Sequence, residues 1–170
     1  AGFPDLTVFD SKGALCAKAG GEAPTGHKAE LAEFNSSGYS GSISSFEGAD
    51  AIIAASSRGA LPKETILAMK KPNIVFALCN PVPEISLEEA KELSIDVFGS
   101  GRSDYPNQIN NSICFPGFLR ALLDLRVRKI TMEMKIAAAQ GIAETVKSPT
   151  RGRVVPDTFD KRVVENIKRK

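Results

Sequence analysis

Three short apolar runs, at residues 50–55, 73–78 and 95–98, constrain this chain more than any other feature. Between them lie two segments with helical spacing, at 62–69 and 86–93. Pro62 suits the first turn of the former, where its missing N–H costs nothing. Ser86 opens the latter as a cap, and Glu89 three residues on completes a capping box. After its leading Asn73, the middle run is continuously apolar, the pattern of a strand covered on both faces. Strands alternating with helices in this way predict a parallel α/β sheet with right-handed crossovers.

The flanks are less regular. Residues 6–9 read as another short buried strand, ending at Asp10, and 19–26 as a loop rich in Gly, Ala and Pro. Thr25 is placed to cap a helix reaching about Phe34. Beyond the sheet, helical patterns cover 113–125 and roughly 131–146. A Pro/Gly-containing loop at about 148–158 then leads to a terminal helix at 160–168, with Asp160 as its cap. There is no internal repeat and no low-complexity linker, so residues 1–170 are read as one domain.

A chain of 170 residues can bury a real core. Its formal net charge of +2 is too balanced to make nucleic acid or an anionic membrane the main partner. No apolar run approaches the roughly 20 residues of a membrane span. Cys16, Cys79 and Cys114 are scattered without a CxxC pair, and His27 is the sole histidine, which argues against structural zinc. A reduced, cytoplasmic setting is the expectation, and the first residues have no signal-peptide character.

The densest polar stretch is Arg102-Ser103-Asp104-Tyr105-Pro106-Asn107-Gln108-Ile109-Asn110-Asn111, with four carboxamides in ten residues. It lies where the third run hands over to a helix, the place where open α/β sheets bind ligands. Carboxamides donate and accept together, which suits a ligand with carboxylate and hydroxyl or carbonyl groups. The same spacing suits a loop that caps the next helix. An Arg102–Asp104 pair would shape the loop rather than react.

Several blocks together resemble the malic enzyme family, in particular its small-subunit bacterial and archaeal malate oxidoreductases. They are Asn80-Pro81-Val82-Pro83-Glu84-Ile85, the stretch Ser100 to Asn111, and Cys114-Phe115-Pro116-Gly117. Met134-Lys135-Ile136-Ala137-Ala138-Ala139 and Val155-Pro156-Asp157-Thr158-Phe159-Asp160 fit further on. The resemblance runs in order over essentially the whole chain. It implies oxidative decarboxylation of L-malate to pyruvate and CO2, with NAD or NADP and a divalent metal, Mg2+ or Mn2+. It also implies a Rossmann-like parallel sheet, incomplete at the N-terminus and followed by C-terminal helices. The chain matches the family's C-terminal cofactor domain only from its second strand onward.

Site residues follow from this resemblance. Asp10, at the end of the second strand, is expected on the adenosine ribose hydroxyls, although Asp is equally at home opening the Asp-Ser-Lys-Gly turn. That acid favours NAD, with NADP possible because Ser11 and Lys12 could hold a phosphate. Ser56, Ser57 and Gly59 match a loop that touches the cofactor with main-chain groups, or form a generic turn. Asn80 is expected beside nicotinamide and substrate, and otherwise begins the turn at Pro81. Asn110 and Asn111 match the family's paired Asn, with Asn111 the stronger candidate for a malate carboxylate.

No catalytic or metal-binding residue is expected here. The family's Lys base, Tyr acid and metal carboxylates lie upstream of the matched region, as do the first Rossmann strand and its Gly-rich turn. The chain is therefore expected to be an inactive part of a longer enzyme, completed by the upstream part and assembled as a homodimer or larger oligomer. The competing reading is a non-catalytic module for dinucleotide binding or oligomerisation. Another α/β dehydrogenase is a third possibility, which the Asn-Gln-Ile-Asn-Asn block opposes.

Overall fold

The computed structural model describes residues 5–17 and 24–170, so the expected loop at 19–26 lies largely outside the described residues. These fall into two compact units: residues 1–49 with 61–70, and residues 50–60 with 71–170.

The first unit opens with a hairpin. Strand β1 (Phe9–Asp10) pairs antiparallel with β2 (Gly13–Ala14). This corrects the expected strand at 6–9: the paired residues come later and join a two-stranded ribbon, not the parallel sheet. The cause is local. The Lys12 N–H donates to Asp10 Oδ1 at 2.8 Å, and Gly13 takes φ 130°, so the chain reverses immediately after β1. Helix α1 (His27–Ala32) begins two residues beyond Thr25, with Gly26 at the cap position and no side-chain cap bond. Thr25 is thus not the cap. Phe9, Tyr39 and Phe46 pack edge-on or tilted, with ring centroids 4.9–6.0 Å apart. Buried Asn35 donates to the carbonyls of Leu15 and Tyr39, tying the loop to the hairpin. Helix α2 (Lys63–Leu67) follows Pro62 and buries Thr65 and Ile66.

The second unit holds the sheet. Strands β3 (Ala51–Ala54), β4 (Ile74–Ala77) and β5 (Val97–Ser100) run parallel, with β4 in the centre. Helix α3 (Leu87–Glu92) connects the last two and carries both halves of the Ser86/Glu89 capping box. The third strand lies two residues later than its apolar run suggests. Ser94 turns to φ 51°, and the Ile95 N–H closes back on the Ala90 carbonyl, so pairing begins only at Val97 N–H to Asn73 O. Gly99 therefore belongs to β5.

Three helices follow: α4 (Asn111–Asp124), α5 (Met132–Ala143) and α6 (Lys161–Arg169). They bury Ile113, Ala121, Ala138, Val163 and Ile167 against one another. Gly141 permits the close approach of α6, because a Cβ there would lie 2.9 Å from the Asn166 carbonyl. Asp160 caps α6 as expected, accepting from the Arg162 N–H.

Candidate functional site

The parallel register aligns the three strand ends, with Ala54 opposite Ala77 and Ala77 opposite Ser100. The loops 55–60, 78–86 and 101–110 therefore leave the sheet from one edge, its carboxyl edge. This edge gathers every candidate residue except Asp10, which lies in the other unit.

The loop after β4 is the most constrained. Glu84 is only 2% exposed. One of its carboxylate oxygens accepts the Ser56 N–H at 2.7 Å and the Ser56 hydroxyl at 3.3 Å; the other accepts the Cys79 N–H at 3.1 Å. Its carbonyl takes the Gly59 N–H at 3.0 Å. The main-chain donors of Ser56 and Gly59, expected to face a cofactor, are thus engaged within the protein. Ser57 in the same loop stays exposed. The sequence pattern does not single out Glu84 as a site residue. A carboxylate between Pro83 and Ile85 in an apolar setting was the only hint, and it does not reveal partners on another loop.

Asn80 is exposed, and its carboxamide has no hydrogen-bond partner among the described residues. It lies directly over Gly101. A Cβ on Gly101 would come within 2.8 Å of Asn80 Nδ2, so the glycine makes room for the carboxamide.

The polar stretch after β5 divides its labour. Arg102 grips Asp104 through two bonds of 2.9 and 2.7 Å and lies over the Tyr105 ring, so these residues shape the loop as expected. Asn107 is buried at φ 52°, a conformation Asn tolerates better than most residues. It donates to the carbonyls of Phe98 and Arg151 and accepts the Val154 N–H at 2.7 Å. Nothing in its sequence context sets it apart from its neighbouring carboxamides, yet it stitches the loop to residues 151–154. Gln108 bridges to Ser100, carrying the edge one step beyond β5.

Asn110 caps α4, its Oδ1 accepting the Ser112 N–H at 3.0 Å. The capping alternative thus holds for this residue. Helix α4 starts two residues earlier than its apolar pattern, which makes Asn111 its first residue. Asn111 is exposed, without a hydrogen-bond partner among the described residues, at the electropositive end of a 14-residue helix.

A polar cavity of about 380 Å³ lies between residues 103–108 and 152–158, with Tyr105, Gln108, Arg153 and Thr158 in its wall. In the first unit, the Asp10 carboxylate is held by Lys28 and by the Lys12 N–H. The Lys28 hydrogen bond is the main cause that keeps its carboxyl below the usual carboxylate range. Among the described residues, no group of three or more His, Cys, Asp or Glu could hold a metal ion.

A parallel α/β sheet with polar loops gathered at its carboxyl edge defines a Rossmann-like, nucleotide-binding type of domain. Residues 43–166 match the family described as malic enzyme, NAD binding domain, and the chain belongs to that family. It is 42% identical over 173 aligned positions to a bifunctional malic/malolactic enzyme of Bacillus subtilis, covering 98% of this chain and 41% of that protein. An NAD-dependent malic enzyme of Geobacillus stearothermophilus is 44% identical over 79% of this chain and 28% of its own length. The solved NAD-dependent malic enzyme of Thermotoga maritima superposes with a TM-score of 0.88 at 35% identity, over 98% of this chain and 44% of that one. The chain thus spans less than half the length of these relatives.

Proposed function

We propose that this chain is the cofactor-binding part of an enzyme that oxidatively decarboxylates L-malate to pyruvate and CO2 with NAD or NADP. The observation that carries this reading is the pair of open carboxamides at one sheet edge, Asn80 on the loop after β4 and Asn111 at the start of α4. Uncharged groups that both donate and accept fit a nicotinamide amide and a substrate carboxylate, and add no titrating group beside the reaction.

Asn80 orients the nicotinamide end of the cofactor and touches the substrate. Asn111 holds a malate carboxylate, helped by the N-terminal dipole of α4, while Asn110 keeps the helix start in place. Ser57 and the exposed surface of its loop meet the cofactor; Ser56 and Gly59 support that loop from within. Asp10 takes ribose hydroxyls. Its ion pair with Lys28 leaves lone pairs free, since a carboxylate offers about four acceptor positions. Its charge disfavours a 2′-phosphate, so NAD is preferred.

The dinucleotide, when bound, supplies the hydride acceptor. The metal, as Mg2+ or Mn2+, and the catalytic acid and base belong in this reading to polypeptide beyond residues 1–170, and the two units here are parts of one cofactor domain. We further place the protein in the cytoplasm, where its three free cysteines stay reduced, as a homodimer or larger assembly.

Calorimetric titration of the chain with NAD and with NADP tests the reading, alongside malate-dependent NADH formation. Binding of NAD in preference to NADP, with no turnover by the chain alone, is expected. Absence of any dinucleotide binding overturns the assignment. Turnover by highly purified chain overturns the division of labour.

A further inference from the structure

Glu84 is a buried carboxylate that the proposed chemistry leaves without a role. A buried charge is tolerated only when donors surround it, and here two backbone N–H groups and a hydroxyl do so. The arrangement is bilateral. Ser56 lies two residues past Ala54 and Cys79 two past Ala77, and those strand ends are in register. One oxygen serves the loop after β3, and the other serves the loop after β4. The carboxylate thus brackets two parallel strand ends where the sheet's own ladder runs out. Asn80 follows Cys79 directly, and on its other side its carboxamide rests on Gly101. It is held between the bracket and the end of β5.

From this we infer that Glu84 is a positioning residue: its carboxylate sets the spacing of the two loops and thereby the place of the Asn80 carboxamide. The inference rests on the assignment of Asn80 to the cofactor. Glutamine cannot do the same work. It offers one oxygen, and its NH2 must face one of the two N–H donors, so one arm of the bracket opens while size and burial are kept.

The test is a double-mutant cycle in the full 170-residue chain, with NAD titrated calorimetrically into wild type, Glu84→Gln, Asn80→Ala and the double variant. Loss of a charge-assisted bond predicts binding weakened about tenfold or more by Glu84→Gln. If Glu84 acts through Asn80, the double variant binds no more weakly than the weaker single one; additive losses overturn the inference. Amide hydrogen exchange separates this from failure of the cofactor reading. If wild type takes no dinucleotide, the cofactor assignment fails, and the bracket is still judged by exchange. Glu84→Gln should speed exchange about tenfold in 55–60 or 78–82, leaving Val75 and Ala77 unchanged; unaltered exchange in both loops overturns the bracket. Should Glu84→Gln not fold, Ser56→Pro deletes both donors of one arm, the N–H and the hydroxyl, on an exposed residue and leaves the carboxylate in place. The same NAD loss, coupled to Asn80, is then expected, and an independent loss overturns the inference.

Discussion

At the amino-terminal end of the β3–β4–β5 sheet, polar groups pair with one another; at the carboxyl end, several are left open. Asn73 and Asp96, which precede β4 and β5, bond reciprocally. Asn73 Oδ1 accepts the Asp96 N–H at 3.0 Å, and Asp96 Oδ2 accepts the Asn73 N–H at 3.1 Å. Lys71 and Arg151 add ion pairs to the same carboxylate at 3.6 and 2.9 Å. At the other end, Glu84 joins backbone to backbone, while Asn80, Ser57 and Asn111 remain exposed. The difference teaches that one end keeps the strands in register and the other is furnished to meet something else. Both use buried or half-buried carboxylates, but only the carboxyl edge pairs its internal bracing with unpaired side chains that face solvent; the unpaired Asn73 Nδ2 at the other end is buried.

This comparison can be broken by substitution. The largest effect belongs to Asn73→Ala, which empties a fully buried position and leaves the N–H of half-buried Asp96 without its acceptor. A loss of about 3 kcal/mol is expected in urea unfolding, with dinucleotide affinity of the folded fraction unchanged. Next comes Asp96→Asn, read as a pH profile. The Asn73 N–H, then Arg151 and Lys71, hold the Asp96 carboxyl below its ordinary range against the opposing effect of desolvation. A depressed folded pKa stabilises above the unfolded value of about 4, and that gain fades as pH falls through the folded value. The variant should therefore be less stable than wild type at neutral pH, with the gap closing in acid. A gap that persists unchanged at low pH would assign the effect to packing instead.

Ser86→Ala is a smaller perturbation and a neutral one for the comparison. It removes one side of the capping box and should cost about 1 kcal/mol in thermal unfolding, without altering ligand binding. The smallest stability changes are expected at the open edge. Asn80→Ala and Asn111→Ala should each stay within about 0.5 kcal/mol of wild type, because neither side chain has a partner to lose among the described residues. Their effects should appear instead as weaker NAD or malate binding. A large stability loss at either position would erase the distinction between the two ends.

Much of the fold is legible along the chain because its signals are short-range. The capping box at Ser86 and Glu89, the cap at Asp160 and the apolar strand cores each depend on residues within a few positions. The misplacements share one cause. Ile95 is as apolar and strand-like as Val97 and Phe98, but the helix end at Ser94 takes it. Likewise, residues 6–9 have a strand's composition, yet a turn stabilised by Asp10 folds the chain into a hairpin. The candidate site was readable as a set of asparagines, but not as a set of roles. In one stretch Asn107 is sealed, Asn110 caps and Asn111 is open, and composition cannot separate them.

By itself, then, the sequence determined the alternation of strands and helices, the caps at Ser86 and Asp160, the family and the stretches from which a site would be built. These rest on local periodicity, on bonds spanning two or three residues, and on blocks of residues read in order. Only the tertiary structure decided that Glu84 serves Ser56, 28 residues away, and that Asn107 serves Arg151 and Val154, 44 and 47 residues away. The physical reason is desolvation. Once packing removes water from a carboxylate or carboxamide, it must take whatever donors and acceptors the fold brings near, and chain distance no longer limits the choice.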